Sequence, residues 1–328
     1  MTDKTWLRRL ITIPTLVLIF AAVSAGLPLL LVVAVVVDLV RAASTGKPAM
    51  AARLVVFLWV YLLGEMWAIL ALAAVAVLGR DRSRQATSRL QSLWASWMFN
   101  TMRWVFGLSF AAEGIEQIPP APVIVLARHA SMVDTLLPAH FVTHEQGIRL
   151  RYVLKKELLV DPALDIAGNR LPNHFVDRVA GTTEPELAAI RELATGLTAS
   201  EGVMIYPEGT RYSPAKLARY LTPLVAKGGV IAEIASRYER VLPPRPGGTL
   251  ALLDSGQADV VVLAHRGLEG FARVRDIWAG GLVDSRIDVR FWRVPYSEIP
   301  AGRAERVEWL FRLWADIDAW VCEKRPAW

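Results

Sequence analysis

Cysteine is nearly missing from this chain. Its 328 residues contain one, Cys322, so neither an intramolecular disulfide nor a cysteine-rich zinc site can form. Histidine is scarce, with five. There is no long Lys/Arg run, no internal repeat and no low-complexity stretch. The net charge of +6 comes from 37 basic and 31 acidic residues. Residues 1–79 carry six basic and three acidic groups and the remainder carries 31 and 28, so the excess is small everywhere and argues against a nucleic-acid partner. Charged residues are only 21% of the chain, against 54% hydrophobic and a mean hydropathy of +0.35. That is too apolar for a disordered protein or an ordinary cytosolic domain. Twelve tryptophans favour a membrane–water interface. The length predicts about two structural units.

The apolar residues are concentrated. From Leu10 to Val37, 28 residues carry no charge, and from Leu54 to Gly79, 26 residues carry only Glu65. A membrane-crossing helix needs about 20 apolar residues. The first run is too long for a signal peptide and a second follows it, so the pattern predicts two membrane helices or a hairpin dipping into one leaflet. Pro14 and Pro28 are expected to kink the first. Glu65 at membrane depth reads as structural twice as readily as functional. Seven basic residues flank the pair (Lys4, Arg8, Arg9, Arg80, Arg82, Arg84, Arg89) against three between them (Arg41, Lys47, Arg53), which puts both ends, and the larger C-terminal part, in the cytoplasm. The basic flanks suit anionic lipid headgroups.

In residues 85–110, Leu90, Leu93, Trp94, Trp97, Met98 and Met102 recur at helical spacing. Such a helix lies in the membrane surface or packs on the globular core, and the pattern favours neither. Short apolar runs then predict strands at Val123–Leu126, Arg151–Leu154, His174–Val176, Val203–Tyr206 and Val260–Leu263. Helices are expected over Glu184–Leu197, opened by a Thr183/Glu186 capping box with Pro185 in its first turn, and from Val307 to Val321. This alternation argues α/β. The expected organisation is 1–84 membrane helices, 85–118 an amphipathic interfacial segment, and 119–328 a cytoplasmic α/β domain.

Chemistry gathers at strand ends. His129 and Asp134 follow the first strand. Five residues apart, they do not share a helix face. They meet if His129 sits on a turn ahead of the helix, where the carboxylate holds one imidazole nitrogen and leaves the other as a base. Tyr206-Pro207-Glu208-Gly209-Thr210-Arg211 follows another strand. Pro and Gly turn tightly, Gly admits a ligand close to the backbone, and Arg suits phosphate. Arg178 ends the run Phe175-Val176-Asp177. Two arginines and a His–Asp pair at strand ends describe a pocket for a phosphate-bearing substrate with an acid–base step. His140 and His144 have metal-ligand spacing but no evident third ligand. His265, with no carboxylate near it in sequence, reads as structural.

The order H-x-x-x-x-D, F-V-x-R, P-E-G-T-R resembles the glycerolipid acyltransferases, typified by the 1-acyl-glycerol-3-phosphate acyltransferases. Asp134 to Phe175 is 41 residues and Arg178 to Glu208 is 30, spacings similar to that family's. The resemblance covers about residues 120–265. Lys155-Lys156-Glu157-Leu158 also looks like a family feature. The block from Val241 to Gly248, containing Arg245, resembles one in the lysophospholipid and lysocardiolipin branch. Arg128 stands where the family often has Asn, Pro172 where it has Gly, Thr249 where that branch has Phe, and Tyr212 displaces a Ser.

The resemblance implies an acyltransferase-type α/β domain with a mixed sheet, preceded by a membrane hairpin. It implies His129 as general base oriented by Asp134. Arg178, Glu208, Gly209, Thr210, Arg211, Lys156 and Arg245 would then bind substrate. It also implies acyl-CoA or acyl carrier protein as co-substrate, a lysophospholipid acceptor in a phospholipid membrane, and no cofactor or metal. Two other readings are a remodelling acyltransferase for a larger lysolipid headgroup and a non-catalytic lipid-binding protein. A His-dependent phosphohydrolase is poorer, because no second phosphate-directed His is evident.

Overall fold

In the computed structural model, which describes residues 5–176, 183–269 and 274–323, the uncharged run lies inside one 41-residue helix, α1 (Thr5–Thr45). It continues through Pro14 and Pro28. The chain turns back over residues 46–50 into α2 (Ala51–Val75), and Asp38 of α1, which ends the uncharged stretch, braces that turn. Its carboxylate accepts the N–H groups of Met50, Ala51 and Ala52 at 2.8, 2.8 and 2.9 Å. These are donors at the start of a helix, which lack intrahelical partners and favour a negative charge. Both helices are long and apolar enough to cross a bilayer. Only 6% of the most apolar window of α1 and 28% of that of α2 is buried, unlike the core helix of a soluble protein.

α3 (Arg80–Phe106) has two apolar stripes. Ala95, Met98, Phe99, Met102, Val105 and Phe106 are buried at helical spacing, while Leu93, Trp97 and Trp104 stay exposed. The chain then alternates through β1 (Ser109–Glu113), β2 (Val123–Ala127), β3 (Arg149–Lys155), α4 (Pro162–Arg170), β4 (His174–Val176), α5 (Glu184–Ala194) and β5 (Glu201–Ile205). It continues through α6 (Pro214–Ala226), α7 (Val230–Ala235), α8 (Pro246–Ser255), β6 (Asp259–Arg266), α9 (Val274–Trp278), β7 (Arg286–Val294) and α10 (Arg303–Cys322).

Among the described residues the chain forms two compact units. The first is 5–109, 154–176 and 275–285; the second is 110–153, 183–269, 274 and 286–323. In the first, Ala68 and Leu72 of α2 pack on Ala163 and Ala167 of α4, with Trp94 of α3 beside them. Asp161 caps α4 by accepting the Leu164 N–H at 2.9 Å and also accepts the Tyr61 hydroxyl at 2.8 Å. Glu65 is buried beside Asp161 and Ala163. Arg8 and Arg9 converge on the buried Asp165 at 2.7 and 2.8 Å.

The second unit holds strands in the order β1-β7-β6-β2-β5-β3. β2 runs parallel to β5 and to β6, with Val123 opposite both Gly202 and Asp259. β3 runs parallel to β5, and β7 antiparallel to β6. The sheet is therefore mixed. All five β2 residues are buried, as expected of a continuous apolar run covered on both faces. The carboxyl ends of β2, β5 and β6 lie side by side, where open α/β sheets bind ligands.

Candidate active site

β2 ends at Ala127, and the next residue turns inward. Arg128 is fully buried. Its guanidinium donates to Glu269 Oε1 and to the carbonyls of His265 and Arg240, at 2.5, 2.5 and 2.6 Å. Its own N–H reaches the Leu263 carbonyl on β6. Arg128 is thus a buried strut between the end of β2 and the segments around it.

His129 and Asp134 meet as the spacing predicts. His129 Nδ1 lies 2.9 Å from Asp134 Oδ1. Asp134 Oδ2 accepts the N–H groups of Ala130 and Ser131 at 2.6 and 2.7 Å. With a carboxylate on Nδ1, the proton sits there and Nε2 is left as the basic nitrogen. His129 keeps 7% of its surface exposed and Asp134 2%, so the imidazole edge is reachable while the carboxylate is sealed. Burial pushes the Asp134 carboxyl up, but His129 and His265 outweigh it and hold it well below the usual carboxylate range.

The turn after β5 is built on the His129 backbone. Gly209 N–H donates to the Tyr206 carbonyl at 2.9 Å, closing a turn around Pro207 and Glu208, and Gly209 takes φ +69°, where a side chain is strained. Glu208 points inward, 1% exposed. One oxygen accepts the His129 N–H at 3.0 Å and the other the Leu242 N–H at 3.1 Å. Burial lifts this carboxyl to about 7, against Arg128 and those two donors. The His129 carbonyl in turn accepts the Tyr212 N–H at 2.8 Å. The Tyr206 ring lies 4.4 Å from the imidazole, centroid to centroid. Glu208 thus fixes His129 through its backbone.

Cationic groups border the turn. Arg245 donates its N–H to the Pro207 carbonyl at 2.8 Å and its guanidinium to Tyr220 at 3.2 Å. A Cβ on Gly209 would stand 3.1 Å from Arg245 Cδ, so the two residues adjoin. Lys216 donates to Thr210 Oγ1 and to the Arg211 carbonyl, both at 2.9 Å. α6 starts three residues after Arg211 and α8 immediately after Arg245. Their N-termini add partial positive charge to the same rim.

The structure thus brings together His129, Asp134, Glu208, Gly209, Thr210, Arg211 and Arg245 within the second unit. Lys156 is exposed at the start of a 3-10 turn in the first unit. Arg178, with Asp177, lies outside the described residues. His140 and His144 stack with ring centroids 5.9 Å apart on a π-helical turn, and His140 faces Glu145 at 3.2 Å. The reading of His265 as lacking a carboxylate is corrected: its Nε2 lies 3.3 Å from Asp134 Oδ2. Lys216 was not singled out from sequence either. Ser213-Pro214, a helix-start pattern, is the signal that could have placed it near Arg211.

Three comparisons bear on this arrangement. The family model described as Acyltransferase matches residues 109–247. The 1-acyl-sn-glycerol-3-phosphate acyltransferase of Pseudomonas aeruginosa strain PAO1 is 30% identical over 156 residues, which is 44% of this chain and 57% of that protein. The chain therefore spans just over half the length of this curated relative. The crystal structure of the 1-acyl-sn-glycerophosphate (LPA) acyltransferase PlsC from Thermotoga maritima matches with a TM-score of 0.53 at 16% identity. The match covers 80% of this chain and 91% of that one. The two share a fold.

Proposed function

We propose, from the match of residues 109–247 to the family model described as Acyltransferase, that the chain transfers a fatty acyl group to the free glycerol hydroxyl of 1-acylglycerol-3-phosphate, making phosphatidic acid. The donor is a thioester, acyl-CoA or acyl carrier protein. The observation that carries this reading is the His129–Asp134 pair, with Nδ1 held at 2.9 Å and Nε2 open beside the Tyr206–Arg211 turn.

His129 Nε2 takes the proton of the acceptor hydroxyl as its oxygen attacks the thioester carbonyl. Asp134 fixes the tautomer and stabilises the imidazolium. The tetrahedral intermediate collapses, the C–S bond breaks, and the proton on His129 passes to the departing thiolate. The new ester and the free thiol balance the step. Base help of this kind is worth about 10²–10⁴ in rate. Arg211 and Arg245 hold the acceptor phosphate, with Lys216 behind them. For Lys156 and Arg178 a substrate-binding role rests on the resemblance of their motifs alone. The chemistry calls for no metal or cofactor.

The lysolipid acceptor seldom leaves a bilayer, so α1 and α2 sit in the membrane and present the domain on its cytoplasmic side. Their sparse burial and the seven-to-three basic flank support this.

The test is radiolabelled acyl transfer by the full chain in lipid vesicles, with acyl-CoA and acyl carrier protein donors and a panel of lysolipids. Transfer to lysophosphatidate, abolished in His129→Ala, is the expected result. Transfer only to a lysolipid with a larger headgroup would move the assignment to remodelling. No transfer from either donor would leave a lipid-binding role.

A further inference from the structure

We propose that His265 is a positioning residue for the base pair: Asp134 is held between two imidazoles, and His265 fixes the carboxylate oxygen that His129 does not use. This rests on the acyl-transfer reading for its role in rate, but its geometry does not.

The sheet makes the contact. β2 and β6 are parallel neighbours with Ala127 opposite Leu263, and the Arg128 N–H donates to the Leu263 carbonyl. Two residues beyond that register the chain reaches His129 on one strand and His265 on the other. His265 is fully buried. Its Nε2 lies 3.3 Å from Asp134 Oδ2 and 3.2 Å from the Arg128 carbonyl oxygen. Both are acceptors, so Nε2 must carry the proton and share it between them. Nδ1 is buried without a partner, so a proton there would have nothing to bond. The His265 tautomer is therefore fixed as the mirror of His129, whose proton is on Nδ1.

Asp134 then accepts from His129 Nδ1 on one oxygen and from Ala130, Ser131 and His265 on the other. The backbone donors belong to the loop and move with it. His265 belongs to the sheet, so it ties the carboxylate to a rigid element. Its N–H also draws charge from the carboxylate that holds His129. The other charged or titratable groups around the set are Glu208 and the Tyr206 phenol by His129, and Arg128 and Glu269 by His265. All four are still present in a 265 variant, but Glu269, whose carboxyl His265 helps hold below its usual value, loses that neighbour.

Losing the His265 donor makes Asp134 a stronger partner for imidazolium, so His129 should hold its proton to higher pH. His265→Leu removes the donor, whereas His265→Gln places an amide N–H where Nε2 stood. We expect His265→Leu to lower kcat/KM by about tenfold to a hundredfold, the range typical for partners one step behind the reacting groups. The acid limb of its pH profile should move up by about one unit. His265→Gln should restore both most of the way. Equal losses in the two variants with the wild-type acid limb would overturn the proposal and leave His265 a packing residue. So would two variants indistinguishable from wild type.

The second measurement does not need the reaction. In full-length protein with 15N-labelled histidine, His129 should titrate at higher pH in His265→Leu than in wild type, and near wild type in His265→Gln. An unchanged His129 titration in His265→Leu overturns the inference whatever the chain catalyses. If wild-type protein transfers no acyl group but the titration moves, the acyl-transfer reading fails and the positioning role stands.

Discussion

Asp134 is the residue on which most of the site's geometry depends. His129 and His265 hold its carboxyl far below the ordinary value near 3.9. A group depressed on folding stabilises the native state above its unfolded pKa, and that contribution fades as pH falls toward the folded value. Asp134→Asn should therefore flatten the acid side of the melting temperature against pH, below about pH 4. At pH 7 it puts an amide NH2 against existing donors, which costs about 1–3 kcal/mol. Activity should drop by about 10²–10⁴ as the imidazole loses its fixed tautomer. Thermal melts across pH and single-turnover rates check the two halves separately. At this scale the sequence was partly readable. His129 and Asp134 are five residues apart and a turn suffices to join them. His265 was unreadable because its partner lies 131 positions away, across a strand pairing that no local pattern records.

Elements were legible where one physical signal dominated. β2 is a continuous buried apolar run, and β5 and β6 hold shorter ones, Val203-Met204-Ile205 and Val260 to Ala264, which the sequence pattern finds. α5 begins where the capping box and Pro185 put it, with the Thr183 N–H donating to Glu186. β7 was missed because Arg290 and Arg293 interrupt its apolar run. In the sheet these charges are cross-strand partners, Arg290 to Glu113 on β1 at 2.8 Å and Arg293 to Asp259 on β6 at 2.6 Å. The 85–110 pattern fitted two readings because α3 bears a buried stripe and an exposed one. The turn between β5 and α6 yields a controlled prediction. Gly209 and Gly147 have nearly the same φ, +69° and +70°, but only Gly209 faces a neighbour, Arg245. Alanine at either should cost about 1–2 kcal/mol of backbone strain. Only Gly209→Ala should raise KM for the phosphate-bearing acceptor severalfold with a smaller effect on kcat. Parallel melts and steady-state kinetics on the two variants read this directly.

For the molecule as a whole, the exposed surface of α1 is the dominant feature. Leu10, Leu18, Leu29, Val32 and Leu39 are among its large exposed apolar side chains, and no charged residue lies between Arg9 and Asp38. Contact of that kind is apolar rather than ionic. The full chain should stay with vesicles through washes in molar salt and alkaline carbonate, and leave only in detergent. Sedimentation after each wash measures it, and release by salt alone would contradict a bilayer-seated α1. The apolar runs that announce this were visible from the first reading. What composition does not record is how the turn back is made, because that depends on Asp38 collecting three N–H groups from the start of the next helix.

The backbone of His129 gives its N–H to Glu208 and accepts the Tyr212 N–H on its carbonyl, so the proposed base and the turn at 206–212 are one mechanical part. For anyone grafting a new acceptor preference onto this scaffold, residues 206–212 are not a free cassette. Exchanged alone, they would carry the base out of register with Asp134. That turn has to move together with residues 128–134, and with His265 and Leu242, which hold Asp134 and Glu208.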